Sequence, residues 1–550
     1  MEKIFAIIIC FAFNTCYSQV GEWTWMNGSD SLYSLGHYGI QGVADSLNSP
    51  PSLYEPCEFQ DQQGNFWLFG GFHGNMIPDP LVGDLNDLWK YNPITNKWTW
   101  IKGSGIPNNM GSYGIIGISD STNIPAARGW GTPTWSDNNG NFWIYSGNVG
   151  YNDLWKYNVS TNEWTWMHGS TSAGAYNNVF PVYGTFQVAS PLNTPGTRAE
   201  MNTTWTDSAG NLWLFGGSSW DIDTMNIVNY NDLWKFDISI NQWIWMSGSN
   251  VVNDNGYYGV KGIASPLNLP PARTSYSKWK DNAGNFYFFG GVRHDLFNAS
   301  CISKSYNDVW KFEISSNNWV WLSGDSASGS YGIYSPECII SQLNTPRNSW
   351  ENRATSHDSN GNVFLFSGLS NTCLVDLPLK NEIWHYSVVN NEWTLIQSNS
   401  SIHFGTKGIS SSINAPPRKF GSISWLRDGE FWIFGGSQYG NSDSYNDLWR
   451  FVIDTTCFPS GIYENEIINE PTVFPNPTSS LITISFELLS MQNFELRIYN
   501  TLGQIVYFSE EENEFGKFEK QLNVQNLSNG IYYLQVRFKS TIFNEKIVKH

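Results

Sequence analysis

The chain is 550 residues long, with 48 acidic and 30 basic side chains and a formal net charge of −18. That length exceeds one ordinary compact domain, and the acidity leaves no electrostatic footprint for nucleic acid. With 28 Trp, 50 Gly and aromatics at 16%, the chain is also not a disordered one.

Lys3 followed by the apolar run 4–13 has the form of an export signal, too short to span a bilayer. The alternative is a buried N-terminal element. Ser18 is the small residue before a predicted cleavage ahead of Gln19, which makes 1–18 the signal peptide. No later stretch is long and apolar enough to predict a transmembrane helix. Cys10 and Cys16 would leave with the signal, and Cys57, Cys301, Cys338, Cys373 and Cys457 remain. An exported chain can hold disulfides, and an odd count predicts a free thiol or an intermolecular bond. No CxxC and no Cys/His cluster has zinc spacing, so neither metal nor other cofactor is predicted.

Internal repetition dominates the chain from residue 22 to 455. One unit reads Gly64-Asn65-Phe66-Trp67-Leu68-Phe69-Gly70-Gly71, then Asn86-Asp87-Leu88-Trp89-Lys90-Tyr91, then Trp98-Thr99-Trp100. The first block returns at Gly140, Gly210, Gly284, Gly361 and Gly429. A period of roughly seventy residues holding four short apolar segments predicts a four-stranded sheet per repeat. In Phe66-Trp67-Leu68-Phe69 both alternating sets are apolar, so the strand is buried on both faces, as in blades stacked around an axis. The turn before each Gly-Asn block and the turn before each Trp-x-Trp are short and constant. The other two connections are long and variable, and in an up-and-down blade they emerge on one common face. The sixth third strand, Trp449-Arg450-Phe451, has no Trp-x-Trp after it, whereas Glu22-Trp23-Thr24-Trp25 precedes the first block. The N-terminal segment 22–26 is therefore expected to complete the last blade and close a ring of six.

The Gly-Gly at 70–71, the aromatic Tyr91, the Trp at 98 and their repeats resemble the kelch family of β-propellers. The resemblance departs to Ser-Gly at Ser146-Gly147 and Ser367-Gly368. It implies a six-bladed propeller over 19–456. The long connection carries its own repeat, Tyr38-Gly39 through Phe404-Gly405, read as structural. Galactose oxidase shares the kelch pattern, but its copper radical site needs paired His ligands, and the eight His here are scattered.

Residues 457–470 lose the repeat and read as a linker. From Pro471 β-branched strands predict a small immunoglobulin-like β-sandwich over 471–550, with a hairpin around Asn500-Thr501-Leu502-Gly503. Phe474-Pro475-Asn476-Pro477, Ile498-Tyr499-Asn500, Gly530-Ile531-Tyr532 and Lys546-Ile547-Val548-Lys549 are together similar to the C-terminal sorting domain of the type IX secretion system of Bacteroidetes. The resemblance implies contact with that machinery, passage through the periplasm to the outer surface or the medium, and commonly domain removal with attachment to surface lipopolysaccharide. The alternative is a carbohydrate-binding or adhesive sandwich.

Structural and functional roles compete at the remaining candidate residues. Arg128, Arg198, Arg273 and Arg418 follow the Pro of four repeats. A ring of arginines suits a carboxylate or sulfate, but repetition favours a structural role, bonding adjacent blades. Asp61, Asp137, Asp207, Asp281 and Asp358 are similar to sialidase Asp-boxes with one residue more, and are read as caps of their own turns. The unrepeated loop residues Trp220, Asp221 and Asp223, with Arg293, His294 and Asp295, are the candidate ligand-binding set. No catalytic residue is predicted. Cys301 and Cys373 occupy matching loops of neighbouring blades, so a disulfide between them is expected. The expected function is binding of a glycan or protein. The alternative is an enzyme on surface carbohydrate, whether an oxidase, a lyase or a sialic-acid-processing enzyme.

Overall fold

The computed structural model describes residues 21–550 except 75–81, 148–149, 172–178, 222–225, 275–276, 295–302, 367, 371–380, 400, 439–442, 454–456, 458–466, 502–503 and 538–541. The signal segment 1–18 with its Ser18–Gln19 junction lies outside these residues, as do Asp223, Asp295, Cys301 and Cys373. The named elements are all β-strands. Among the described residues no helix is long and apolar enough to cross a membrane. The chain divides into two compact units, up to Asp454 and from Thr455.

The first unit holds six antiparallel blades with four strands in up-and-down order, and the short strand Ser119–Asp120 adds a fifth to the second. Blade 1 comprises Cys57–Gln60, Phe66–His73, Gly83–Asn92 and Lys97–Lys102. Blade 4 comprises Ser277–Lys280, Phe286–His294, Ser303–Glu313 and Asn318–Ser323. The innermost strand of every blade touches that of the next, and the sixth touches the first, so the sheets form a closed β-propeller. In blade 6 the fourth position is taken by Glu22–Asn27, which pairs antiparallel with Leu448–Val452.

Burial on both faces explains the aromatic composition. Each apolar cluster draws on two adjacent blades: Phe66, Trp89 and Trp98 of blade 1 pack with Trp425, Trp432 and Phe434 of blade 6. Trp23, Trp98, Trp164, Trp243, Trp319 and Trp393 are the matching fourth-strand residues, all fully buried. Inner-strand tryptophans also bond across the seam: Trp135 Nε1 donates to the Trp213 carbonyl at 2.8 Å and Trp425 Nε1 to the Phe59 carbonyl at 2.7 Å.

The Gly-Gly motif is a seam device as well. The backbone NH groups of Gly71, Gly147, Gly217, Gly291 and Gly436 donate to carbonyls of Arg128, Arg198, Arg273, Ser349 and Leu53, each in the neighbouring repeat, at 2.8–3.0 Å. Gly290 shows why the first position excludes a side chain. Its φ is +64°, and a Cβ there would lie 2.6 Å from the Ser349 carbonyl oxygen.

The repeated long connection caps the outer edge of the blade it leads into. Gly42 NH donates to the Trp100 carbonyl at 2.8 Å, and Asn48 Nδ2 donates to the Trp98 carbonyl at 3.2 Å. Gly117, Gly262 and Gly408 make the first contact with Trp166, Trp321 and Trp25. An outer strand covered in this way presents few unpaired backbone groups for edge pairing.

The second unit is built on two long strands, Leu481–Asn500 and Ile505–Asn523, paired along their length with register shifts near Gln492. Tyr499 opposes Ile505 across the expected hairpin. Gly530–Arg537 and Ile542–Lys549 extend the sheet, and Ile482, Ile484, Leu496, Ile498 and Leu534 form its core. The first strand, Ile467–Phe474, begins inside the segment expected to be linker. Its register shifts between Asn469 and Thr472, where Pro471 offers no backbone donor.

Candidate functional site

Each blade carries an acid at the head of its third strand. Asp153 accepts two bonds from Arg128, at 3.0 and 2.9 Å, one from Trp155 Nε1 and one from the Tyr113 hydroxyl. Arg198 meets Asp232, and Arg273 meets Asp308, both fully buried. These arginines hold their own repeats together and present nothing to a ligand. In blade 6 the expected Arg418 does not take this place: the next residue, Lys419, bonds Asp447 at 2.6 Å. The turn aspartates likewise cap themselves. Asp61 takes the backbone NH of Asn65 at 2.8 Å and Trp67 Nε1 at 2.8 Å.

The unrepeated residues lie on the face of long loops. Trp220 and Asp221 end the strand Ser218–Asp221, which forms a hairpin with Asn226–Asn229 beyond the second strand of blade 3. Arg293 and His294 end the second strand of blade 4. Asn229 Nδ2 donates to the His294 carbonyl at 3.0 Å, so the two segments meet at the seam. Arg293 is buried and donates to Asn255 Oδ1 at 2.8 Å. The His294 ring stands edge-on to Trp350, with centroids 5.5 Å apart, and burial pushes its pKa down to about 4. Arg293 and His294 thus organise this loop face from below its surface.

A groove that sequence reasoning missed opens beside them. It has a volume near 630 Å³, and Asn255, Tyr257, Lys304, Tyr306 and Ser326 are among its lining residues. Tyr257 is 58% exposed. The Tyr306 ring is held under the Arg273 guanidinium, 3.9 Å from its centroid. These residues come from three segments of blade 4 and its flanking connections, joined by no sequence motif.

A second unpredicted feature rings the axis on the same face. Glu55, Trp130, Glu200, Glu351 and Gly421 occupy equivalent places ahead of five inner strands, all with positive φ between 49° and 62°. Backbone bonds tie neighbours together: Gly421 NH donates to the Glu351 carbonyl at 2.9 Å, Glu55 NH to Gly421 at 3.0 Å, and Glu200 NH to Trp130 at 2.8 Å. The glutamates come from blades 1, 3 and 5. Burial, then the charges of Glu55 and Glu200, push the Glu351 carboxyl well above the usual carboxylate range, against a hydrogen bond with Tyr54.

Below the collar a polar network bridges the channel. Arg353 Nε meets Glu58 Oε2 at 2.5 Å, Asn202 Nδ2 donates to Glu58 Oε1 at 2.6 Å, and Lys278 Nζ donates to Asn202 Oδ1 at 2.8 Å and to Thr204 Oγ1 at 2.5 Å. Among the described residues no group of three His, Cys, Asp or Glu is arranged to hold a metal ion. Cys57 is a buried free thiol, and Cys338 and Cys457 each take part in a disulfide.

Residues 472–550 match the family model of the secretion system C-terminal sorting domain. That module marks the chain for type IX export, to the cell surface or the medium. No curated protein matches the chain. Among solved structures, a fungal alcohol oxidase of the AA5 family in complex with copper is similar at 11% identity, covering 94% of this chain and 100% of that one, with a TM-score of 0.40. YjhT is similar at 12% identity over 75% of this chain and 95% of that one, with a TM-score of 0.36. The polysaccharide lyase Uly1 is similar at 11% identity over 78% and 99%, with a TM-score of 0.32. No functional conclusion follows from likenesses this distant.

Proposed function

We propose that the chain is an exported kelch-type propeller that binds a glycan on its long-loop face, at the groove of blade 4. The observation that carries this reading is the groove itself. An exposed tyrosine ring, a carboxamide, an ammonium and hydroxyls converge there, and sugars offer matching apolar faces and polar edges. Arg293, through its bond to Asn255, would hold one wall in place. Trp220 and Asp221 would extend the surface toward blade 3. The mature protein would remain on the surface, joined to lipopolysaccharide after loss of the sorting domain. A glycan array probed with the mature protein tests the proposal: Tyr257→Ala should abolish the hits that the wild type gives. An array without hits, together with capture of a surface protein through the same face, would replace glycan by protein as the ligand.

A second reading, an enzyme acting on surface carbohydrate, is favoured by Glu351. A carboxyl whose pKa is raised by burial and by two neighbouring carboxylates, at the mouth of the axis, suits a general acid. In that case Glu351→Gln would abolish turnover of a bound glycan while leaving binding at blade 4 intact.

A further inference from the structure

The tight-turn half of the axial channel is a chamber of about 370 Å³ whose walls come from all six inner strands. The chain carries a net charge of −18, yet this chamber gathers cations. Lys278 and Lys280 line it beside the His357 ring, which desolvation and the Lys280 charge push down to about 4 and so leave uncharged, and Glu58 is its one carboxylate. Glu58 is already occupied by Arg353, Asn202 and the Thr134 hydroxyl. Lys278 donates to neutral oxygens of Thr134, Asn202 and Thr204, which ties blades 2, 3 and 4 together. Lys280 Nζ donates to the Thr206 carbonyl at 2.6 Å. Among the described residues neither lysine forms an ion pair. Asp207 and Asp358 face Lys280 and His357 from the rim, but both carboxylates hold their own turns through Asn211, Trp213 and Asn362. The hydroxyls of Ser356 and Ser424, 2.9 Å apart, add donors to the opposite wall. His357 is exposed, at the end of its strand toward the short turns, where the chamber opens.

We propose that this chamber binds a small oxyanion, sulfate or phosphate, either free or as the ester group of a glycan. Enclosed ammonium groups without a carboxylate partner are costly, and an oxyanion supplies the missing charge and accepts from lysine and hydroxyl donors together. Enclosure, eased by Glu58 and aggravated by Arg353, holds the Lys278 amine down at about 7. Binding of sulfate, which stays a dianion throughout, should therefore weaken as pH rises from 6 to 8, while that amine loses its proton.

The test uses the mature protein. Thermal unfolding and calorimetric titration are run with sodium sulfate, sodium phosphate and a sulfated monosaccharide against sodium chloride at equal ionic strength. Saturable binding beyond the chloride control, weakened at least tenfold in Lys280→Gln, supports the chamber. Binding of inorganic sulfate or phosphate identifies the free ion, and binding of the monosaccharide alone identifies the ester. His357→Ala serves as the second variant should Lys280→Gln fail to fold. Equal effects of all salts, or affinity retained in the folded variants, would overturn the proposal. Tyr257→Ala leaves this site untouched, so its outcome is separate from that of the blade 4 groove.

Discussion

The acid at the head of each third strand shows how one residue's environment sets its chemistry. Asp153, Asp232, Asp308 and Asp447 have cationic partners, whereas blade 1 places Leu53 where Arg128 stands in blade 2. Asp87 receives side-chain hydrogen bonds from Tyr38 and Trp89, and burial raises its pKa to about 6. A folded-state pKa above the unfolded value of 3.8 means the folded chain binds that proton more tightly. Stability should accordingly fall as pH rises from about 4 through about 6 and then level off, by roughly 3 kcal/mol for this group. Urea unfolding across that range should show the decline, and Asp87→Asn should flatten it. Asp153→Asn has a different consequence, because it strands Arg128 in the interior. A loss of about 3–5 kcal/mol is expected, and equal losses in the two variants would refute the distinction. The structural role of Arg128, Arg198 and Arg273 was legible from repetition alone. The shift from Arg418 to Lys419 was not, since adjacent cations cannot be ranked without the backbone path. Repeat alignment could have exposed Glu55, Glu200 and Glu351, which each stand two residues past the place of Arg128 in blade 2, but only alternate blades carry the acid and no motif marks it.

At the scale of elements, the recurring strands were readable because each has one environment imposed six times. Trp-x-Trp marks the outer strand wherever it occurs, including Trp23-Thr24-Trp25, which reaches its blade from the other end of the propeller sequence. Trp23 packs on Phe366, Trp449 and Phe451, and its Nε1 donates to Gln397 of blade 5. Trp23→Ala should cost about 3–5 kcal/mol and open the seam between blades 5 and 6 to limited proteolysis. Cleavage patterns identical to wild type would show that this strand does not fasten the ring. The Gly-Gly pairs give a sharper contrast. Gly290→Ala meets both positive φ and a carbonyl at 2.6 Å, whereas Gly284, with φ +83°, has nothing within 4 Å of the place a Cβ would take. Thermal unfolding should show Gly284→Ala costing about 1 kcal/mol and Gly290→Ala clearly more. The blade 4 groove had no comparable signal. Asn255 with Tyr257, Lys304 with Tyr306, and Ser326 lie in three separate segments of the sequence, and only the fold of the connections brings them together. In the C-terminal unit the register between the two long strands shifts near Gln492, where no continuous alternation in the sequence marks their full length.

For the whole molecule, function is divided between a wheel that fixes loops in space and a tail that determines where the wheel goes. Removing residues 472–550 should leave the propeller folded but trap it inside the outer membrane, which fractionation of the producing cells would detect. Release at wild-type level without those residues would contradict that role. The most direct test of the binding account is hydrogen–deuterium exchange of the mature protein with and without a glycan that scores on the array. Protection should concentrate at residues 253–259 and 303–306 of the long-loop face. Protection confined to the short-turn face or the outer rim, or no protection at saturating glycan, would contradict it.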